Sequence, residues 1–79
     1  MTVYLLQSIS HPDRTYLGVT DDLFARLHAH SAGESPHTAK YRPWQLVVSV
    51  GFQDAEKAWA FERYLKSGSG RAFATRHFW

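Results

Sequence analysis

"TVYLLQSISHPDRTYLGVT", residues 2–20, contains two short apolar runs separated by a turn. Both runs are rich in β-branched, aromatic and leucine residues, which favours strands over about 2–9 and 15–19. Between them, Pro12 restricts φ and Asp13 can hydrogen-bond to nearby backbone, as turn residues do. The stretch therefore predicts an antiparallel β-hairpin at the start of the domain.

Each predicted strand carries one tyrosine, Tyr4 in the first and Tyr16 in the second, and Gly18 follows two residues after the second tyrosine. Val or Ile would serve equally well in a buried strand, so two phenols here suggest a purpose beyond packing. Pairing in a hairpin allows the two rings to lie close together, on faces that depend on the strand register.

The middle of the chain predicts a helix followed by a third strand. A helix over about 22–31 has Thr20 or Asp21 as its candidate N-cap, and Gly33 ends it. The strand over 44–52 is almost continuously apolar, which favours a central strand covered on both faces.

The last third predicts two helices. Asp54 is the candidate N-cap of a helix over about 55–66, "SGSG" at 67–70 is expected to break it, and a short final helix follows at 71–78. The order β-β-α-β-α-α predicts an α+β fold, in which a small three-stranded antiparallel sheet is flanked by helices. At 79 residues the chain is expected to form a single domain, 1–79.

The composition excludes several functional classes. The chain has no cysteine, so disulfides, thiolate catalysis and Cys-based zinc sites are excluded, and a reducing, cytoplasmic location is expected. No apolar run approaches the ~20 residues of a membrane span, so no membrane partner is expected. Residues 1–39 hold two basic and four acidic residues, whereas 40–79 hold seven basic and three acidic. A basic half suits phosphate binding, and a solvated basic face explains it equally well.

The predicted helix 55–66 carries a carboxylate on its apolar side. On a helical wheel Glu62 falls within the arc that contains Ala55 and Ala58. Burying an unpaired carboxylate is costly, so Glu62 must be ion-paired, bound to a cation or exposed in a cleft. The simplest alternative is a surface pair with Lys66, one turn later, worth a few tenths of a kcal/mol.

The first predicted helix has a similar feature. Leu23 and Leu27 mark its buried side, and Arg26 and His30 lie one turn apart on the flank of that stripe. They could point into a shared cleft, or Arg26 could simply extend its head to solvent while its stem packs. No pair of histidines has the four-residue helical spacing of a zinc site, and no nucleophile-elbow or phosphate-loop motif is present.

Together these residues resemble the GIY-YIG nuclease superfamily, most closely its small stand-alone bacterial members, which look like the N-terminal nuclease domain of the excision-repair incision enzyme. "TVY" at 2–4 and "YLG" at 16–18 stand for the two motifs that give the family its name. "FARLHAH" supplies Arg26 and His30, and "AFERYLK" supplies Glu62. The resemblance covers residues 2–74 and implies the GIY-YIG fold.

The resemblance implies a metal-dependent endonuclease that hydrolyses phosphodiester bonds in DNA. Glu62 would bind one divalent cation, Mg²⁺ or Mn²⁺, and Arg26 would hold a phosphate oxygen. Tyr4 is preferred as the general base and Tyr16 as a positioning group, while His30 would orient a tyrosine or shuttle the proton. All five residues are therefore candidate catalytic residues, with a role in DNA repair among the possible processes.

The resemblance also assigns Gly18 a structural role, leaving room for the substrate backbone. Two positions depart from the family pattern: Thr2 replaces the first glycine, and the Asn that many relatives carry after the Glu-bearing helix has no clear counterpart, with Ser67 or Ser69 as possible substitutes.

DNA is the expected partner, bound through its phosphates and therefore with low sequence specificity, and a preference for single-stranded or flexible DNA is one expectation. The candidate nucleic-acid-binding residues are His37, Lys40, Arg42, Lys66 and Arg71. Two alternatives stay open: a catalytically weak or inactive nucleic-acid-binding module with the same fold, and a structural protein with a basic face. The sequence does not decide the oligomeric state.

Overall fold

A three-stranded antiparallel sheet forms the centre of the protein, whose computed structural model describes residues 1–79. The prediction of an α+β fold with the order β-β-α-β-α-α is confirmed. The regular elements are β1 (Thr2–Ser8), β2 (Thr15–Thr20), α1 (Leu23–Ala32), a 3₁₀ turn (Ala39–Tyr41), β3 (Trp44–Gly51), α2 (Ala55–Lys66) and α3 (Gly68–His77).

The strand order is β2-β1-β3, so β1 is central and β3 is an edge strand. The prediction that the third strand is central was therefore wrong. Every residue from Val3 to Leu6 in β1 is buried, whereas half of the residues of β3 are exposed. An apolar run predicts a strand but not its neighbours, because β1 becomes central only when β3 pairs along its second edge.

The two faces of β1 meet different parts of the chain. Val3 and Leu5 pack with Ala58, Leu65 and Ala74 of α2 and α3 to form the hydrophobic core. Fully burying each larger apolar side chain of this kind contributes about 1.5–3 kcal/mol. Because neighbouring residues in a strand point to opposite faces, the residue between Val3 and Leu5 points away from these helices.

Both ends of α1 are set by local chemistry. Asp22 is the N-cap, and its Oδ1 accepts a hydrogen bond from the Ala25 N–H at 3.1 Å. The prediction of Thr20 or Asp21 at this position was wrong, because the Thr20 hydroxyl instead bonds to the backbone of Asp22 and holds the turn before the helix. Gly33 ends the helix as predicted, in the left-handed conformation with φ of 76°.

The bounds 55–66 predicted for α2, and its N-cap Asp54, are confirmed. The "SGSG" segment ends α2 at Lys66 as predicted, but the last helix begins at Gly68 rather than at residue 71. Ser67 joins the helices: its Oγ accepts a hydrogen bond from the Gly70 N–H at 3.1 Å. Gly70 packs so closely on the Tyr64 carbonyl that a Cβ would overlap it, which explains a glycine inside this first turn.

None of the helices has the length and apolar character needed to cross a bilayer.

Candidate active site

Tyr4 and Gly18 lie directly opposite each other on β1 and β2. The Tyr4 ring folds over the glycine, and a Cβ on Gly18 would lie 2.5 Å from both Cζ and the hydroxyl oxygen of Tyr4. The space above Gly18 is therefore filled by the phenol. The expectation that this space admits the substrate backbone was wrong, because the glycine makes room for Tyr4 instead.

A chain of buried polar side chains begins at Tyr4. Its hydroxyl lies 2.9 Å from Nε2 of His30, and Nδ1 of His30 lies 2.7 Å from Oγ1 of Thr38. The Thr38 hydroxyl in turn donates to the Ser35 carbonyl at 3.5 Å. Tyr4, His30 and Thr38 are each at most 2 % exposed, so this chain is isolated from solvent.

The protonation states of this chain follow from its burial. Burial, and then the neighbouring phenol of Tyr16, raise the pKa of Tyr4 well above its usual value, so its hydroxyl keeps its proton. Burial, and then the Arg26 guanidinium, lower the pKa of His30, which favours a neutral imidazole at pH 7. Because the Thr38 hydroxyl donates to the Ser35 carbonyl, it accepts a hydrogen bond from Nδ1–H of His30. Nε2 of His30 then accepts a hydrogen bond from the Tyr4 hydroxyl.

Tyr16 lies on the same face of the sheet as Tyr4, because it pairs with Leu6 two residues further along β1. Its ring centroid is 6.1 Å from that of Tyr4 and 4.8 Å from that of His30. Unlike Tyr4, Tyr16 is only partly buried and lines an open cleft. The two tyrosines and His30 thus form one aromatic cluster, of which Tyr16 is the accessible phenol.

Arg26 is exposed on α1, one turn before His30. Its positive charge lowers the pKa of both Tyr4 and His30, which places it within electrostatic reach of the cluster. The spacing that predicted a shared environment for Arg26 and His30 is reproduced, with His30 inside and Arg26 at the surface.

Glu62 is carried by a different element from the residues of this cluster. It lies on α2, whose Ala58 and Leu65 pack on the Val3 face of the sheet, opposite to Tyr4. Its side chain is 12 % exposed, and its carboxylate pairs with the ammonium group of Lys66 at 3.2 Å. The structure therefore contains the helical ion pair considered from the sequence, and Glu62 makes no hydrogen bond with either tyrosine.

A cleft of about 580 Å³ lies between β2 and the helices α2 and α3. Three consecutive residues of β2 line it, so it follows the free edge of that strand. Lys66 and Arg71 contribute two positive charges, and Lys66 is the partner of Glu62. The cleft therefore connects Tyr16 with the last turn of α2. Its lining residues are Leu5, Thr15, Tyr16, Leu17, Leu65, Lys66, Arg71, Ala74, Thr75 and Trp79.

The other predicted nucleic-acid-binding residues lie elsewhere, on the segment between α1 and β3. His37, Lys40 and Arg42 are exposed there and do not line the cleft. Lys40 lies 5.6 Å from the Tyr41 ring, and Arg42 donates from Nε to the Ala39 carbonyl at 2.9 Å. The five predicted basic contacts are thus divided between two regions of the surface.

Sequence reasoning missed Thr38 and Trp79. Thr38 holds His30 from the segment after α1, and the Trp44 indole N–H fixes Thr38 by donating to its carbonyl at 2.7 Å. A lone Thr in a loop gives no local signal of such a role. Trp79 lines the cleft, although its sequence position follows the last predicted helix.

The residues present suit a cation that takes only part of its ligands from the protein and the rest from water and substrate. No group of three or more His, Cys, Asp and Glu side chains is placed to hold a metal ion. Mg²⁺ is commonly bound by only one or two carboxylates, with waters and substrate phosphate completing its shell. Glu62, nearly buried yet one turn from the cleft-lining Lys66, is compatible with that type of site.

Comparisons with known proteins show the family of this chain. A family model described as the GIY-YIG catalytic domain matches residues 1–75. "Structure-specific endonuclease subunit SLX1" from Candida dubliniensis is 42% identical over 82 residues, covering 95% of this chain and 27% of that protein. The SLX1 subunit from Yarrowia lipolytica is 39% identical over 71 residues, covering 81% of this chain and 25% of that protein. A Giardia intestinalis homolog is 35% identical, covering 71% and 17%. The chain spans about a quarter or less of the length of these relatives.

Proposed function

This chain belongs to the GIY-YIG nuclease superfamily, and we propose that it is an endonuclease domain that hydrolyses phosphodiester bonds in DNA with the help of a divalent cation. The buried chain from Tyr4 through His30 to Thr38 is the observation that carries the proposal. Buried polar side chains destabilise a fold unless every partner is satisfied, and a fully satisfied network such as this one rigidifies the residues around it. Here they support Tyr16 at the edge of an open cleft.

Burial favours Tyr16 over Tyr4 as the phenol that meets the attacking water. Tyr4 is 1 % exposed and its pKa is raised, so it is poorly placed to accept a proton from a solvent-derived nucleophile. The preference for Tyr4 as general base is therefore replaced by a positioning role: with His30 it holds the Tyr16 ring. Arg26 binds a non-bridging phosphate oxygen, for which its planar guanidinium is suited.

Glu62 is the residue that would hold one Mg²⁺ or Mn²⁺ ion, and no group of three or more His, Cys, Asp and Glu side chains is placed to do so. When bound, such an ion neutralises charge on the scissile phosphate. Lys66 pairs with Glu62 in the free protein, but its side chain is 58% exposed and the pair is worth little in solvent. Its ammonium group can therefore leave the carboxylate and contact a phosphate.

Phosphate binding by basic side chains carries no sequence information, so low sequence specificity is expected. Lys66 and Arg71 serve the cleft, while His37, Lys40 and Arg42 form a second set of contacts beyond α1. The relatives named structure-specific endonuclease subunits support selection by DNA structure, a role in DNA repair and action beside a partner subunit. The absence of cysteine supports the cytoplasm as its location.

One observation favours a second candidate, a nucleic-acid-binding module without catalysis. Glu62 is already paired with Lys66, and it lies on the helix that covers the sheet face opposite to Tyr4. If that arrangement persists on DNA, the protein would bind through its basic residues and cut nothing.

The two candidates are separated by comparing Glu62→Gln with Glu56→Gln. Glu56 is an exposed carboxylate on the same helix and serves as the matched control. Labelled single-stranded, duplex and branched DNA would be incubated with Mg²⁺ or Mn²⁺, and binding would be measured separately without metal. We expect Glu62→Gln to lose cleavage while both variants bind DNA like the parent protein. Binding without cleavage by the parent in every metal would establish the module instead.

A further inference from the structure

Trp79 is a large aromatic side chain on the wall of the cleft. The residue is 42% exposed, although aromatic side chains of this size usually bury a large apolar area. Its backbone N–H donates to the Ala74 carbonyl at 2.9 Å, which ties it to the last turn of α3. Trp79 therefore borders the cleft while remaining partly exposed.

The cleft combines the chemistry that a nucleotide requires. Trp79 supplies aromatic surface, and Lys66 and Arg71 supply positive charge. Leu5, Leu17 and Leu65 contribute apolar lining. Its volume of about 580 Å³ suits a small organic group rather than a double helix. Two cations beside aromatic surface favour an anionic ligand that carries a planar ring.

We propose that this cleft binds one unpaired nucleotide beside the scissile phosphate, with its base stacked on Trp79 and its phosphate held by Lys66 and Arg71. The place of this nucleotide beside the scissile phosphate rests on the proposed function. The binding of the nucleotide in the cleft does not. A base within a duplex is stacked on both faces by its neighbours, so only an unstacked base offers a face to the indole. Trp79 therefore gives the domain a preference for DNA with locally unpaired bases.

A tryptophan elsewhere on the surface provides a matched control. Trp59 on α2 is 45% exposed, close to the value for Trp79, but it does not line the cleft. Any general effect of removing an exposed indole, on solubility or on nonspecific stacking, should be the same for Trp59→Ala and Trp79→Ala.

Binding would be measured by fluorescence anisotropy, without metal, to a short labelled single strand and to a fully paired duplex. We expect Trp79→Ala to weaken single-strand binding by about tenfold, the effect of losing one base–aromatic stack. Duplex binding should stay within about twofold, because phosphate contacts dominate it. Trp79→Phe should retain most of the affinity for the single strand. Trp59→Ala should leave the affinity for both the single strand and the duplex unchanged.

A single strand with abasic sites tests the stack directly and needs no folded variant. The parent protein should bind it about as weakly as Trp79→Ala binds the intact strand. Equal affinity of the parent for abasic and intact strands would overturn the proposal, as would equal losses in Trp79→Ala and Trp59→Ala. Base-dependent binding by a protein that cuts nothing would leave this inference standing while the nuclease proposal fails. If the protein cleaves DNA but Trp79→Ala binds single strands like the parent, the nuclease proposal stands and this inference fails.

Discussion

Gly18→Ala is expected to be the most damaging single-methyl change at the site. The added Cβ would lie 2.5 Å from Cζ and the hydroxyl oxygen of Tyr4, where ordinary contacts are 3.4–4 Å. The ring must therefore move by about 1 Å, yet it is 1 % exposed and closely surrounded. A shift of that size breaks the 2.9 Å hydrogen bond from Tyr4 to His30.

Two costs add up in this variant. Overpacking a well-packed core costs about 1–3 kcal/mol. Leaving the buried Nε2 of His30 without a partner costs about 1–3 kcal/mol more. A total of about 2–6 kcal/mol is a large share of the roughly 4–12 kcal/mol expected for a domain of this size. Its midpoint, about 4 kcal/mol, should lower the melting temperature by about 15–30 °C.

Urea denaturation followed by circular dichroism would measure this loss. Gly51→Ala is the control, because Gly51 is also at a strand position but a Cβ there has no atom within 4 Å, and its stability should change by less than about 0.5 kcal/mol. In a Tyr4→Val background, Gly18→Ala should become nearly neutral, because the ring that it displaces is gone. Equal stabilities of the two alanine variants, or an undiminished cost in the Tyr4→Val background, would refute the reasoning.

Four further outcomes are expected. Thr38→Val keeps the side-chain shape but leaves Nδ1 of His30 unpaired, so denaturation should show a loss of about 1–3 kcal/mol, and unchanged stability would contradict the buried chain. By NMR, the pKa of His30 should lie below the usual histidine value of about 6.5. Arg26→Met should raise this pKa, because it removes the positive charge that helps to lower it. Below about pH 6.5, His30 binds a proton in the unfolded chain but not in the folded protein, where its pKa is lower. The free energy of unfolding should therefore decrease as the pH falls below about 6.5, whereas a titration midpoint above that value would reverse this trend. Thermal melts should show Gly70→Ala far less stable than Gly68→Ala, since a Cβ at Gly70 overlaps the backbone of α2 and one at Gly68 meets nothing within 4 Å, so similar melting temperatures would exclude that close packing.

Local signals account for what was predicted correctly about the fold. The bounds of α2 follow from Asp54 at its start and from the apolar spacing within it, both of which act over a few residues. Gly33 ends α1 because a left-handed residue at that position favours glycine. The errors at the start of α1 and α3 have a common cause: Asp22 and Ser67 have neighbours that are equally good caps, and only the path of the chain selects between them.

One contact of the candidate site was predictable from the sequence, but the arrangement around it was not. The spacing of Tyr4 and Tyr16 across a short turn leaves few registers, so their proximity could be expected from the hairpin. Which of the two phenols is buried could not be expected from the hairpin. That depends on the hydrogen bonds from Tyr4 to His30 of α1 and from His30 to Thr38 of the segment after α1.

The amino-acid sequence alone determined the strands, the helices and the family to which the chain belongs, since each depends on residue type and short-range spacing. Only the tertiary structure decided that β1 is central, that Glu62 pairs with Lys66, and that Tyr16 opens onto a cleft shared with Trp79. Burial and electrostatic environment are properties of neighbours far apart along the chain. They exist only once the helices have packed on their respective faces of the sheet.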